Sequence, residues 1–391
     1  MFIDDFNISW MDHPFLNNSV KVRNNKLIEK IADCGILEVY IDTARGLDVA
    51  DAPTEVEVKQ GLRTGIDMVI DPDIKAIGTV PIQEELVRAK EIKREAKETI
   101  HNIMEDIRFG NPIKKDKVEH VVMKMVSSIF RNQNALISLG RIRTVDEYTY
   151  MHSMSVCILM ISFGKHLRFD LHQLKDVGVG AMLHDIGKMK IPQEILHSKK
   201  QLSDEEYEKM KEHVKYGRIL LEETPGIAET SILVAAQHHE RLDGSGYPNG
   251  LIGNDISKYA QIAAIVDVYD ALTSERSYKH GLPPTEALKK LFEWSESYFN
   301  SELVQQFIRC VGIYPVGSLV RLGSGLIAIV LNNDAKNLLH PVVRVIYDTK
   351  KGKYTVPYDI DLSHQAKKNN AYRITSYESP DEINVVTEMY L

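Results

Sequence analysis

The chain has 391 residues, of which 43% are hydrophobic and 26% charged, the balance of a globular protein with room for two or three domains. A net charge of −7 and a pI near 6.1 argue against a general binder of DNA or RNA, which would be basic, but leave room for a local basic pocket around one small anion. No apolar run approaches the ~18 residues of a membrane span. The N-terminus also lacks the basic-then-apolar pattern of a signal peptide, so a cytoplasmic location is expected.

Cys34, Cys157 and Cys310 are few, odd in number and far apart, which fits buried thiols in a reducing compartment. Residues 1–75 read as a small α/β domain, with a short helix over 25–32 and an alternating strand over 36–42. Trp10, His13, Pro14 and Phe15 suggest a packed aromatic turn, and the polar stretch 42–61 reads as a loop. Residues 76–111 form a charged connecting helix. Leu86, Ala89, Ile92, Ala96, Ile100, Ile103 and Ile107 recur at threes and fours among Glu, Lys and Arg, a single apolar stripe on a solvated helix. Packing of that stripe within the chain is expected, with a homodimer seam as the alternative.

A third region, 112–312, is helical in pattern. Asn111-Pro112 ends the charged helix, and helices are predicted over 116–139, 146–163 and 171–183. The last of these delivers His184-Asp185-Ile186-Gly187-Lys188. A neutral imidazole beside a carboxylate suits a first-row divalent ion, although the dipeptide alone is weak. Ser203 and Glu206 form a capping box opening a helix that runs through Tyr207, Met210, His213 and Val214, with those side chains on one buried face. An apolar helix over 231–239 ends in a second cluster, His238-His239-Glu240-Arg241, followed by a loop containing Gly246-Tyr247-Pro248. Its glycines permit close backbone approach to a ligand. In the apolar helix over 259–272, Asp267 and Asp270 interrupt the buried face, and unpaired carboxylates there are costly, so at least one should meet a cation. Arg276 and Lys279 follow, and Pro283-Pro284 opens a helix toward Arg309. Residues 313–391 change to β pattern, with strands over 318–322, 326–331 and 342–347.

The segment His184-Asp185-Ile186-Gly187-Lys188, together with His238-His239-Glu240 and Gly246-Tyr247-Pro248, resembles the HD-GYP family over roughly residues 144–311. The resemblance implies a mainly α protein whose catalytic domain is an HD-superfamily helical bundle, and a metal-dependent phosphodiesterase of cyclic dinucleotides, chiefly cyclic di-GMP, in bacterial second-messenger signalling. Residues 1–75 resemble the small domain of unknown function that often precedes this module. The family pattern implies metal ligands at His152, His184, Asp185, His213, His238, His239 and Asp267. Of these, His152, His184, Asp185 and Asp267 would hold one ion, and His213, His238 and His239 with Asp185 the other. Asp185 is the natural bridge, since a carboxylate can offer one oxygen to each ion. Iron or manganese is expected, with nickel or zinc as alternatives. Two ions ~3.5–4 Å apart can share a hydroxide and clamp a scissile phosphate.

Lys188 then lies at the metal site, and Arg276 and Lys279 match positions that grip ligand phosphates. Arg241, Gly246, Tyr247 and Pro248 belong to the substrate loop. Some members bind a third ion through a glutamate four residues before the position of His152. Tyr148 stands there, ~40° around the helix axis and so on the same face. A phenol, normally protonated near neutral pH, is a poor ligand, which points to two ions; the resemblance implies that two-ion members mainly make the linear dinucleotide pGpG. Three other readings stay open: a phosphodiesterase of 3′3′-cyclic GMP-AMP, a phosphohydrolase of monomeric nucleotides, and a non-catalytic cyclic dinucleotide receptor.

Overall fold

The computed structural model describes residues 1–5, 20–22, 24–33, 39–47, 49, 52, 54, 79–140, 148–198, 202–274, 281–295, 297–332, 339–365, 369–378, 383, 385 and 387–391. The chain divides into two compact units, Met1–Ala76 and Ile77–Leu391. In the first, strands β1 (Phe2–Asp5), β2 (Val20–Lys21) and β3 (Tyr40–Ile41) form an antiparallel sheet in the order β2-β1-β3, with helix α1 at Asn25–Asp33. Ile3 and Ile31 are its buried centre, packed by Val20, Leu27 and Ile41. The expected aromatic turn at Trp10, His13, Pro14 and Phe15, and Cys34, lie outside the described residues.

The second unit is helical until its last segment. Helix α2 (Ile82–Arg108) buries every member of its apolar stripe, Leu86, Ala89, Ile92, Ala96, Ile100, Ile103 and Ile107, in the same core as the helices that follow. It packs against α3 (Lys115–Gly140), which kinks where Asn132 adopts extended dihedrals (φ −160°, ψ 101°). The Asn132 side chain donates to the Val80 carbonyl (2.9 Å), tying the entry of α2 to the kink. Next come α4 (Tyr148–His166) and α5 (Leu171–Leu183), the latter opened by a capping box between Asp170 and Gln173. A 3₁₀ turn at Ile186–Lys190 leads to the short α6 (Gln193–Leu196).

Ser203 and Glu206 form the expected capping box at the start of α7 (Asp204–Lys211). That helix does not continue through His213: it stops at Glu212, and α8 (His213–Glu222) starts afresh. Consequently α7 buries none of its residues, and Tyr207 is 48% exposed rather than on a buried face. Then follow α9 (Glu229–Gln237), α10 (Lys258–Thr273), α11 (Pro284–Trp294) and α12 (Ser301–Val311). The single helix expected after Pro283 is thus two. Asn300 interrupts it by capping α12, its side-chain oxygen accepting from the amides of Glu302 (3.1 Å) and Leu303 (3.2 Å).

The C-terminal segment is an antiparallel sheet of β4 (Leu319–Leu322), β5 (Leu326–Asn332), β6 (Val342–Asp348), β7 (Lys353–Asp361) and β8 (Ile374–Glu378), in the order β7-β6-β5-β4-β8. The first three match the sequence pattern; β7 and β8 were not foreseen. Leu319, Val320, Ile327, Ile329, Val343 and Val345 of this sheet join the helical core. Cys157 is buried, as expected, and Cys310 is half-buried.

One buried ion pair locks α2 to α3. Arg131 meets the fully buried Glu85 with two hydrogen bonds, Nε to Oε2 at 2.6 Å and Nη2 to Oε1 at 2.9 Å. Burial pushes the Glu85 pKa up, but the Arg131 bonds outweigh it and hold the group below the usual glutamate value. Its stabilisation is therefore full above the unfolded pKa of ~4.3 and is lost as pH falls through the depressed folded value. Arg131→Ala leaves the carboxylate with the longer contact to Arg88 (3.4 Å) and should cost about 1.5–3 kcal/mol, measured by urea unfolding at neutral pH. The difference from wild type should shrink below pH 4 or so.

Candidate metal centre

The core places a set of imidazoles and carboxylates at the inner ends of its helices. His184 caps the C-terminus of α5 and Asp185 follows it directly. His213 opens α8, His238 caps α9 with His239 next, and His152 and Asp267 project from α4 and α10. His152, His184, Asp185, His213, His238 and Asp267 are all buried. The structure thus brings the seven expected ligands together.

Asp185 sits between two groups. Its Oδ2 lies 3.4 Å from His184 Nε2 and 3.6 Å from His152 Nε2, whereas its Oδ1 lies 3.3 Å from His213 Nε2 and 4.0 Å from His238 Nε2. Asp267 spans similarly, Oδ1 at 3.0 Å from His152 Nε2 and Oδ2 at 3.9 Å from His239 Nδ1. Potential ligand atoms of His152, His184 and Asp185 lie within 4.8 Å of one another, as do those of His213, His238 and His239.

Local backbone fixes the ring orientations. The Nδ1 atoms of His184, His213 and His238 meet the carbonyls of Ala181 (2.7 Å), Met210 (2.7 Å) and Ala235 (2.8 Å), each three residues earlier. Donation there turns every Nε2 lone pair inward. The Nε2 atoms of these three histidines and Oδ1 of Asp185 are buried with no hydrogen-bond partner. Orphaned acceptors at one point are expensive, and a cation is the group that would satisfy all of them. A set of imidazoles and carboxylates fits first-row divalent ions.

Electrostatics favour the ligand-ready forms. Burial opposes ionisation of Asp185, but Lys188, His184 and His213 hold its carboxyl well below the usual range; His152 and His184 do the same for Asp267. Burial keeps His184 and His239 neutral and lowers His238 to about 3. His152 is the exception: burial lowers it, but Asp267 and Asp270 raise it to about 9. Metal binding at that imidazole must displace a proton.

Two backbones touch beneath the site. A Cβ on Gly187 would lie 2.0 Å from the carbonyl oxygen of His213 and 2.4 Å from the nitrogen of Gly217, so only glycine fits there. Lys188, expected at the site, donates to Asp185 Oδ2 at 2.5 Å. Met189 and Lys190 face the end of α2, where Arg108 approaches the Met189 sulfur (3.8 Å) and Lys190 the Ile107 carbonyl (3.4 Å).

The loop after His239 is organised by Glu240, whose role the sequence left unassigned. This residue is 2% exposed, and its two oxygens accept from the amides of Asn249 (2.8 Å) and Leu251 (3.0 Å). Gly246 packs on the same backbone, since a Cβ there would lie 2.3 Å from Arg241 N. The Tyr247–Pro248 peptide is cis; Tyr247 N donates to the His239 carbonyl (3.2 Å), and its ring lies over that imidazole with centroids 4.6 Å apart. Lys211 sits 5.5 Å from the Tyr247 ring centre and 4.9 Å from that of Tyr207, a cationic rim the sequence did not suggest. Arg241 turns back on the chain, donating to the carbonyls of His238 (3.3 Å) and Glu240 (2.8 Å) with its guanidinium over Phe299. Arg276 and Lys279 lie outside the described residues, and so does the side chain of Tyr148, the first residue of α4.

Comparison with known proteins matches two domains of the chain. An HD domain model matches residues 128–303, and a domain of unknown function (DUF3391) matches residues 1–118. A cyclic di-GMP phosphodiesterase of Pseudomonas aeruginosa is 34% identical over 386 residues, covering 98% of this chain and 91% of that protein. A cyclic di-GMP phosphodiesterase of Thermotoga maritima is 35% identical over 165 residues, 42% of this chain and 45% of its own length. A 3′3′-cGAMP-specific phosphodiesterase of Vibrio cholerae is 41% identical over 124 residues, 32% of this chain and 24% of its own.

Glu240→Ala would leave two inward-facing amides without acceptors, each worth about 1–3 kcal/mol. The expected result is faster hydrogen exchange at Asn249 and Leu251 by mass spectrometry, with helical content by circular dichroism unchanged.

Proposed function

The chain belongs to the HD-GYP family of metal-dependent cyclic dinucleotide phosphodiesterases, and we propose that it opens cyclic di-GMP to linear pGpG at two first-row divalent ions. The observation that carries this reading is the convergence of unpartnered, buried Nε2 atoms from His184, His213 and His238 on the Asp185 carboxylate, His184 beside its Oδ2 and the other two beside its Oδ1. His152, His184, Asp185 and Asp267 would hold one ion; His213, His238 and His239, with the other oxygen of Asp185, would hold the second. When bound, such ions supply Lewis acidity toward phosphoryl oxygens and a hydroxide nucleophile at neutral pH.

The chain's own groups do the rest. Lys188 brings a positive charge to the rim beside Asp185, where the phosphate would arrive. Glu240 holds the loop that presents Tyr247 and Pro248, and the Tyr247 ring, backed by His239, offers a flat face for a guanine. Lys211 adds a cation between two tyrosine rings for an anionic, aromatic ligand. Arg276 and Lys279 remain the proposed phosphate grips. Arg241, with one amino group on two backbone carbonyls, supports the loop as much as it faces substrate.

The ion count rests on Tyr148, which occupies the helix position a third ion would need. Cyclic di-GMP is preferred because the relative that aligns along nearly all of the chain is a cyclic di-GMP enzyme. A mixed 3′3′-cyclic GMP-AMP substrate is the second reading, since a phosphodiesterase of that specificity aligns over the shorter stretch. A receptor without catalysis is disfavoured by the completeness of the ligand set.

The test is metal analysis with product identification. Wild-type protein loaded with manganese or iron should carry two ions per chain and convert cyclic di-GMP to pGpG, resolved by chromatography. Asp185→Ala should abolish turnover and lower the metal content. Unchanged turnover in that variant, or rapid accumulation of GMP alone, overturns the reading.

A further inference from the structure

The pocket histidines are not held alike. The carbonyls of Ala181, Met210 and Ala235, which orient His184, His213 and His238, belong to the last turns of α5, α7 and α9. Carbonyls in a final helical turn lack an amide four residues on, so they are spare acceptors. His152 has no such option. It lies near the start of α4, a helix that continues to His166, where the carbonyl three residues earlier faces the amide of the next turn. Its Nδ1 instead meets Oδ2 of Asp270 at 2.7 Å, a contact between two buried side chains on different helices.

Asp270 is three residues after Asp267 on α10, so both carboxylates project from one helix face. The first faces the pocket and His152 Nε2 at 3.0 Å; the second grips the far nitrogen of the same ring. Asp270 is 2% exposed, and Ser274 Oγ lies 3.4 Å from its Oδ2.

We propose that Asp270 is a positioning residue for the phosphodiester reaction: by accepting the Nδ1–H of His152 it fixes that ring's rotation and tautomer, leaving Nε2 as the donor to one ion. This rests on the two-ion reading above. A carboxylate partner also makes an imidazole more basic than a backbone carbonyl does. Asp270 therefore strengthens the ion shared by His152, His184, Asp185 and Asp267, and leaves the His213, His238 and His239 side untouched.

The experiment uses full-length protein, stripped and titrated with manganese against a competing chelator. Asp270→Ala should weaken one ion by roughly 10–100-fold, with the other near its wild-type affinity. Asp270→Asn keeps an oxygen to accept the Nδ1–H but no charge, and should fall between. Wild-type affinity for both ions in both variants overturns the proposal, as does equal weakening of both ions in the isosteric Asn variant. If wild type binds only one ion, the two-ion reading fails by itself. Asp270 is then judged by whether that ion weakens in the order wild type, Asn, Ala.

Discussion

The site in the second unit answers to one electrostatic constraint: the buried imidazole lone pairs of His184, His213 and His238 must be aimed at a common point without pairing to one another. Imidazoles left free to rotate would find hydrogen bonds among themselves. Here His184, His213 and His238 are prevented from doing so by the main-chain carbonyls at their Nδ1 atoms. The device works because helices α5, α7 and α9 end at the pocket, where carbonyls are spare. Gathering such groups away from water is unfavourable, and the surrounding core opposes it with a continuous apolar cluster drawn from α2 to β8.

Much of this was legible in the sequence, for a physical reason. Imidazoles and carboxylates stand out where they end an apolar run, as His184-Asp185 and His238-His239 do. What escaped was whatever depends on tertiary placement. No glycine or proline marks the stop at Glu212, so α7 and α8 read as one helix and Tyr207 was assigned to a buried face. Strand β7 is an edge strand, largely exposed on both faces, and therefore shows no alternation to read. Asp270 stood out as a costly carboxylate on an apolar helix, but its partner lies 118 residues away in sequence. Glu240 sat in the motif in plain view. The donors it accepts from are backbone amides nine and eleven residues on, which no side-chain pattern announces.

Helix α2 shows how a domain boundary in sequence and one in space can differ. The match to the domain of unknown function extends to residue 118, through α2, whereas the first compact unit ends at Ala76. The apolar stripe explains the difference. It lies within the stretch matched to the N-terminal domain, yet Ile100, Ile103 and Ile107 are buried in the same core as the helices that follow. Its last turn reaches Met189 and Lys190, which follow Lys188 directly. The end of α2 thus packs on the segment that follows His184-Asp185.

The contact of Gly187 with the backbone of His213 and Gly217 sets a dimension. It presses the strand of chain that follows Asp185 against the first turn of α8, main chain on main chain, with no side chain between them to compress or repack. The gauge between the two halves of the ligand set is thus cut into the polypeptide itself. An ion of slightly different radius would meet the same frame, since no side chain lies between the two backbones to yield to it.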